Sequence, residues 1–283
     1  MTFTTLVSTA ELAQHLDDPH WIVFDCTHDL MKPTFGRESY ARAHLPGAIF
    51  LSVDDDLSTA KTGKNGRHPL PSAEAFAANL GALGFDGSQQ VVAYDAQGGM
   101  PASRLWWMLR WLGHDAVALL DGGMGAWTRE RRPVTPAVPS RKPARFTPRP
   151  RAMLVDAATV LAQLRQSAYQ LVDARAADRY RGENEVIDPV AGHIPGALNR
   201  FWGQNLGADG RFKPAATLRE EFEALLGERA PQSVIHSCGS GVSACHNLLA
   251  MEIAGLPGAL LYSGSWSEWI ADPSRPIATG AAP

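Results

Sequence analysis

Apolar residues fall along this chain in short runs, and the runs come twice. Residues 21–25 (WIVFD) are a compact apolar stretch closing on a carboxylate, which predicts a buried strand. Ahead of it, Ser8 or Thr9 stands where an N-cap is wanted for a short amphipathic helix through Leu16. The same order of events returns after residue 150, where MLVDAATVLAQLRQ carries a helical period and YQLVDAR (169–175) reads as the strand. Next, ARAHLPGAI (41–49) matches VAGHIPGAL (190–198), with His44 19 residues after Asp25 and His193 20 residues after Asp173. Agreement in wording as well as spacing marks an internal duplication.

A third correspondence separates the two copies chemically. Residues 89–127 run parallel to residues 232–269, and aligning the strands VVAYD and VIHSC puts Asp95 where the second copy has Cys238. The downstream markers agree: Trp127 follows Asp95 by 32 residues and Trp269 follows Cys238 by 31. The first copy therefore keeps the scaffold without the thiol. Between the copies, a proline- and arginine-rich stretch without periodicity reads as an extended linker. The expected organisation is a domain over 1–135, a linker over 136–150 and a thiol-bearing domain over 151–283. Strand and helix alternate in each copy, so the fold class is α/β, each domain a mainly parallel sheet flanked by helices.

Composition changes this picture little. The chain has 283 residues, 45% hydrophobic and 19% charged, with a formal net charge of −3. That is the balance of a globular protein with material for two cores. The absence of a basic block argues against nucleic acid as a partner. No apolar run approaches the length of a membrane span, and a cytoplasmic location is expected. Three cysteines, Cys26, Cys238 and Cys245, make neither a disulfide framework nor a CxxC motif, so they suggest no metal cofactor. Cys26 and Cys245 read as packing residues.

Cys238 is set apart by the residues on its C-terminal side. A β-prone run ends at the cysteine, and Gly239, Ser240 and Gly241 lead through Val242 to Ser243, where a helical pattern opens with Ala244, Leu248, Leu249 and Met251 turned inward. A strand that turns tightly into a helix start aims successive backbone N–H groups into the turn, a concavity suited to an anion. A thiolate, or the charged group its sulfur carries, is the natural occupant. In mainly parallel sheets such positions, beyond the carboxyl ends of strands, are where ligands bind.

The tandem copies, the HxPGA segments at 44–48 and 193–197, the CGSGVS loop and the terminal SGSWSEW together resemble the tandem-domain sulfurtransferases of the rhodanese superfamily, over nearly the whole chain. The fold expected is two rhodanese-like domains in tandem. The loop is similar to that of the branch acting on 3-mercaptopyruvate, since the thiosulfate-preferring branch carries basic residues there and this loop is neutral. The resemblance implies that Cys238 takes a sulfur atom from 3-mercaptopyruvate or thiosulfate as a persulfide and passes it to an acceptor thiol, thioredoxin or cyanide. It assigns Arg179 to the substrate carboxylate and Gly239, Gly241, Val242 and Ser243 to the anion-binding loop. It also suggests a proton relay of Ser240, His68 and Asp54. A second substrate arginine of the family falls near Asp188, which cannot serve, and Arg200 is the candidate replacement.

Other residues read as structure. His44 and His193 recur in both copies, including the one without a thiol, so each is taken as a histidine of a turn before Pro-Gly. Trp266 and Trp269 are expected to pack over the loop or a domain seam. A phosphatase of the CX5R type is disfavoured because position 244 is alanine and no basic side chain occurs from 239 to 250 apart from a histidine. A catalytically inactive binding module would not need Cys238, both glycines and Ser240.

Overall fold

A computed structural model describes residues 2–166 and 168–282, with the side chain of Arg165 left aside. The chain forms two compact units. The first comprises residues 1–59, 70–152 and 206–212; the second comprises 60–69, 153–205 and 213–283. Each unit thus includes a short segment from the other half of the sequence, and the linker expected over 136–150 belongs to the first unit.

The first unit is built on strands β1 (Leu6–Val7), β2 (Trp21–Asp25), β3 (Ile49–Phe50), β4 (Gln90–Tyr94) and β5 (Val117–Leu120). They lie in the order β1-β5-β4-β2-β3, and every pairing is parallel. The second unit repeats this with β6 (Leu154–Val155), β7 (Gln170–Asp173), β8 (Leu198–Asn199), β9 (Val234–Ser237) and β10 (Leu260–Tyr262). Their order, β6-β10-β9-β7-β8, is the first order shifted by five, again all parallel. Central strands β2, β4 and β9 are buried along their whole length, which is why they read as unbroken apolar runs rather than alternating ones.

The duplication extends to details of packing. His44 is fully buried, stacks on Tyr40 at 3.7 Å and bonds through Nδ1 to the Tyr40 carbonyl. His193 does the same with Tyr180, at 3.8 Å between rings and 2.8 Å to the carbonyl. Each also bridges through its backbone to a distant strand-like residue, Thr135 and Ala278 respectively. Both are structural, in keeping with their repetition. Trp127 and Trp269 match as well, each donating its indole N–H at 2.8 Å to a proline carbonyl, of Pro133 and Pro276. Trp266 and Trp269 lie inside the core of the second unit with Ile235, Tyr180 and Tyr262.

The N-terminal helix is shorter than its pattern suggests, Thr9–Ala13, although Ser8 caps it by accepting from the Glu11 amide. Among the described residues no helix is long and apolar enough to cross a membrane.

Candidate active site

Cys238 is the first residue past β9, where the sheet's hydrogen bonding ends and the chain turns. Gly241 makes the turn at φ +76, and a Cβ there would stand 2.2 Å from the Ser263 carbonyl oxygen, so both conformation and space demand glycine. The result is that the Gly241 N–H donates to Cys238 Sγ at 3.1 Å. Helix Ser243–Ile253 starts directly behind, so the sulfur also faces the positive end of a helix. Cys245, one turn in, donates its thiol to the Gly241 carbonyl at 3.3 Å and ties the loop down from inside.

From the other side the loop is held by the short helix Ser265–Trp269. The Trp266 amide donates to the Cys238 carbonyl at 3.0 Å and the Ser267 amide to the Gly239 carbonyl at 2.9 Å. Ser265 Oγ accepts the Cys238 N–H at 3.0 Å and donates to the Tyr262 carbonyl at 2.9 Å. Ser265 does this from a left-handed backbone, φ +53, while Gly123, its counterpart in the first unit, has the same φ. A serine in that region is strained, and it is retained where its hydroxyl is the partner of the cysteine amide.

The sequence places Cys238 beyond the carboxyl end of a strand, where ligands bind, yet the residue is only 2% exposed. The burial is of a specific kind: the loop amide is turned onto the sulfur, not away from it. A covered, low-dielectric setting makes that N–H···S contact stronger than it would be in water.

The equivalent turn in the first unit shows what the geometry binds. Asp95, fully buried, accepts from the amides of Gln97 (2.7 Å), Gly99 (2.9 Å) and Ala102 (2.9 Å). Burial lifts this carboxyl to about 6, with the three amides pulling the other way. Near neutral pH the turn holds a built-in anion where the second unit holds a sulfur.

His68 and Ser240 meet in the second unit. His68 belongs to the segment 60–69 that folds with that unit, and its Nδ1 shares a hydrogen bond of 2.7 Å with Ser240 Oγ, both residues being buried. Asp54 lies in the first unit, with His28 Nδ1 3.8 Å from its carboxylate.

Arg179 faces the loop but does not stand alone. Its guanidinium lies on Glu185, with Nε and Nη2 both within 3.2 Å of the carboxylate, and Nη2 also reaches Asp188 Oδ2 at 3.1 Å. Glu185 has a buried side chain and also meets Arg175, which is locked to Asp173. Burial pushes the Glu185 carboxyl up, but the Asp188 and Ile187 amides and the Arg179 guanidinium bring it below its ordinary value. Asp188 has a second partner that sequence reasoning misses, Arg67, whose Nη1 lies 2.5 Å from Asp188 Oδ1. Arg67 is fixed through its own amide, which donates to Ser267 Oγ at 2.9 Å. The loop is therefore flanked by charged side chains, the guanidiniums of Arg67 and Arg179 and the carboxylates of Asp188 and Glu185. A basic group arrives from residue 67, and the sequence clue to it is its place beside His68.

Arg200, the candidate replacement arginine, is buried against Phe222 at 4.1 Å, with Nε and Nη2 bonded to Asn205 and Nη2 also to Glu221.

The family description Rhodanese-like domain matches residues 8–130 and 156–272. The chain belongs to this family. Rhodanese-like relatives of full length surround it: a Pseudomonas aeruginosa protein named "Probable 3-mercaptopyruvate sulfurtransferase" is 48% identical over 283 residues, covering 99% of this chain and 100% of that protein. Thiosulfate sulfurtransferase of Bos taurus is 36% identical over 94% of this chain and 92% of that one. Among solved structures, 3-mercaptopyruvate sulfurtransferase from Leishmania major superposes with a TM-score of 0.84 at 30% identity, over 94% of this chain and 74% of that one. A rhodanese-like sulfurtransferase with one cysteine-bearing turn and one aspartate-bearing turn is thus what the chain encodes.

Proposed function

We propose that the protein moves a sulfur atom from 3-mercaptopyruvate to an acceptor thiol, thioredoxin or cyanide, with Cys238 carrying it. The observation that supports this most directly is the Gly241 amide hydrogen-bonded to Cys238 Sγ at the end of β9. The cysteine thiolate attacks the thiol sulfur of the donor, an S–S bond forms, and the C–S electron pair leaves with carbon as the enolate of pyruvate. Protonation of that enolate gives pyruvate, and the enzyme keeps a persulfide. An acceptor thiolate or cyanide then attacks the outer sulfur, and the S–S electron pair returns to Cys238.

Each site residue has a part. The Gly239–Ser243 backbone, with Gly241 foremost, stabilises negative charge on sulfur in both halves of the cycle. Ser240 and His68 supply and accept the proton that the enolate needs. Arg179 takes the donor carboxylate, where a planar fork fits best. Three cysteines that form no disulfide suit a reducing compartment, the cytoplasm.

Thiosulfate is the alternative donor, favoured by the relatives that carry its name and by the two guanidiniums beside the loop. The test is a comparison of kcat/KM for the two donors with cyanide as common acceptor, together with mass measurement of the intact chain after donor alone. 3-Mercaptopyruvate is expected to win and to leave one added sulfur on the protein. A higher efficiency with thiosulfate, or no persulfide from 3-mercaptopyruvate, overturns the reading.

A further inference from the structure

We infer that Arg67 is a substrate-binding residue: its guanidinium and that of Arg179 form a two-armed clamp for the donor carboxylate, with Asp188 aligning the arms. This rests on 3-mercaptopyruvate as the donor. The clamp is assembled from residues far apart in sequence, Arg67 and Asp188 being separated by 121 positions.

The geometry converges on one point, Gly239, the residue after the cysteine. A methyl group placed on its Cα would lie 2.9 Å from Arg67 Nη2, 3.8 Å from Arg179 Nη2 and 3.8 Å from Asp188 Oδ2. Two guanidiniums and a carboxylate therefore face the same small space beside the loop. Glycine at 239 is what keeps that space open.

Both arginines are gripped by carboxylates, and Arg67 Nη2 is the guanidinium nitrogen nearest Gly239. Arg67 spends Nη1 on Asp188, while its buried Nε has no hydrogen-bond partner among the described residues. Arg179 spends Nε and Nη2 on Glu185 and Asp188. Asp188, with a side chain 3% exposed, is nearly sealed from solvent, so it serves as the fixed anion between two cations and not as a surface charge. Two like charges so close repel unless an anion bridges them. Asp188 is that bridge, and of the two arms Glu185 backs Arg179 alone; a substrate carboxylate would be held beside Gly239, nearest Arg67 Nη2.

This also explains how the position of Asp188 is compatible with the chemistry. Asp188 meets a cation carried in on the segment 60–69, Arg67, as well as its neighbour in sequence Arg179. Asp188 is then a positioning residue for both.

The experiment is steady-state kinetics of Arg67→Ala, Arg67→Lys, Asp188→Ala and Asp188→Glu with 3-mercaptopyruvate and cyanide, plus the rate at which cyanide discharges preformed persulfide. Loss of one charge-assisted contact should raise KM for 3-mercaptopyruvate roughly 10- to 100-fold in Arg67→Ala. Arg67→Lys should fall between, since an ammonium supplies charge without the fork. Persulfide discharge, which involves no carboxylate, should change by a far smaller factor, and this shows that the loop is folded. Asp188→Ala should raise the same KM by a smaller factor and Asp188→Glu should recover part of it. An Arg67→Ala KM within twofold of the parent overturns the clamp while leaving the donor assignment standing; a parent enzyme that draws no sulfur from 3-mercaptopyruvate overturns both. A lower KM in Asp188→Ala would mean that this carboxylate competes with the substrate and would overturn its aligning role.

Discussion

Ser265 accepts the backbone N–H of Cys238 at 3.0 Å while held at φ +53, a conformation its counterpart Gly123 adopts freely in the first unit. Two opposing effects meet at this serine. The left-handed backbone costs about 1 kcal/mol for a residue with a Cβ, and losing the hydroxyl leaves a buried amide without a partner, at about 1–3 kcal/mol. Ser265→Ala keeps the strain and loses the bond, whereas Ser265→Gly loses the bond and sheds the strain. Urea unfolding should therefore rank parent above glycine above alanine, with about 1 kcal/mol between the two variants. Equal stabilities would show that the backbone at 265 is not strained.

Replacing Cys238 with serine should abolish sulfur transfer from either donor while leaving the unfolding midpoint close to the parent's, because the hydroxyl is nearly isosteric. The check is the mass of the intact protein after donor treatment. A remaining one-sulfur adduct would place the carrier on Cys26 or Cys245, both fully buried.

Ser240→Ala removes the oxygen that His68 Nδ1 meets at 2.7 Å. If the pair delivers a proton to the departing enolate, kcat with 3-mercaptopyruvate should fall by about 100-fold, the lower end for a lost general acid. Thiosulfate releases sulfite and needs no carbon protonation, so its turnover should change little. Matching losses with both donors would assign the pair to holding the loop.

Asp95 sets a pH dependence of stability. Its carboxyl is lifted by burial to about 6, above an unfolded value of about 3.9, so between those values the folded chain holds the proton more tightly than the unfolded one. Stability from this group is therefore full below about pH 4, declines as pH rises to about 6 and is level beyond, by about 3 kcal/mol in all. Asp95→Asn lacks this titration. The unfolding free energy of the parent minus that of the variant should fall across the window, and a constant difference would contradict the assignment.

Much of the architecture can be read from the chain because it is local. Strand β2 coincides with WIVFD, β9 ends one residue before the cysteine, and the repeated wording corresponds to two sheets with one strand order. The glycine turn is legible too, since Gly241 has to satisfy both φ and space within a few residues. Everything brought together by the tertiary fold escapes such a reading. Arg67 lies in a stretch without periodicity, and nothing in 60–69 says that it folds with strands a hundred residues later. Proximity in sequence to the second HxPGA segment points to Arg200, but its side chain turns to Asn205 and Glu221. Ser265 reads as part of a tryptophan motif, and its role emerges only from a hydrogen bond across 27 residues.

The carboxylate seated in the first unit's turn fixes the capacity of the molecule. With Asp95 fully engaged by three amides, that half offers no place for a cargo atom. With Cys238 as the proposed carrier, titration with donor in the absence of acceptor is expected to end at a single equivalent per polypeptide, and blocking that one thiol to silence the whole chain.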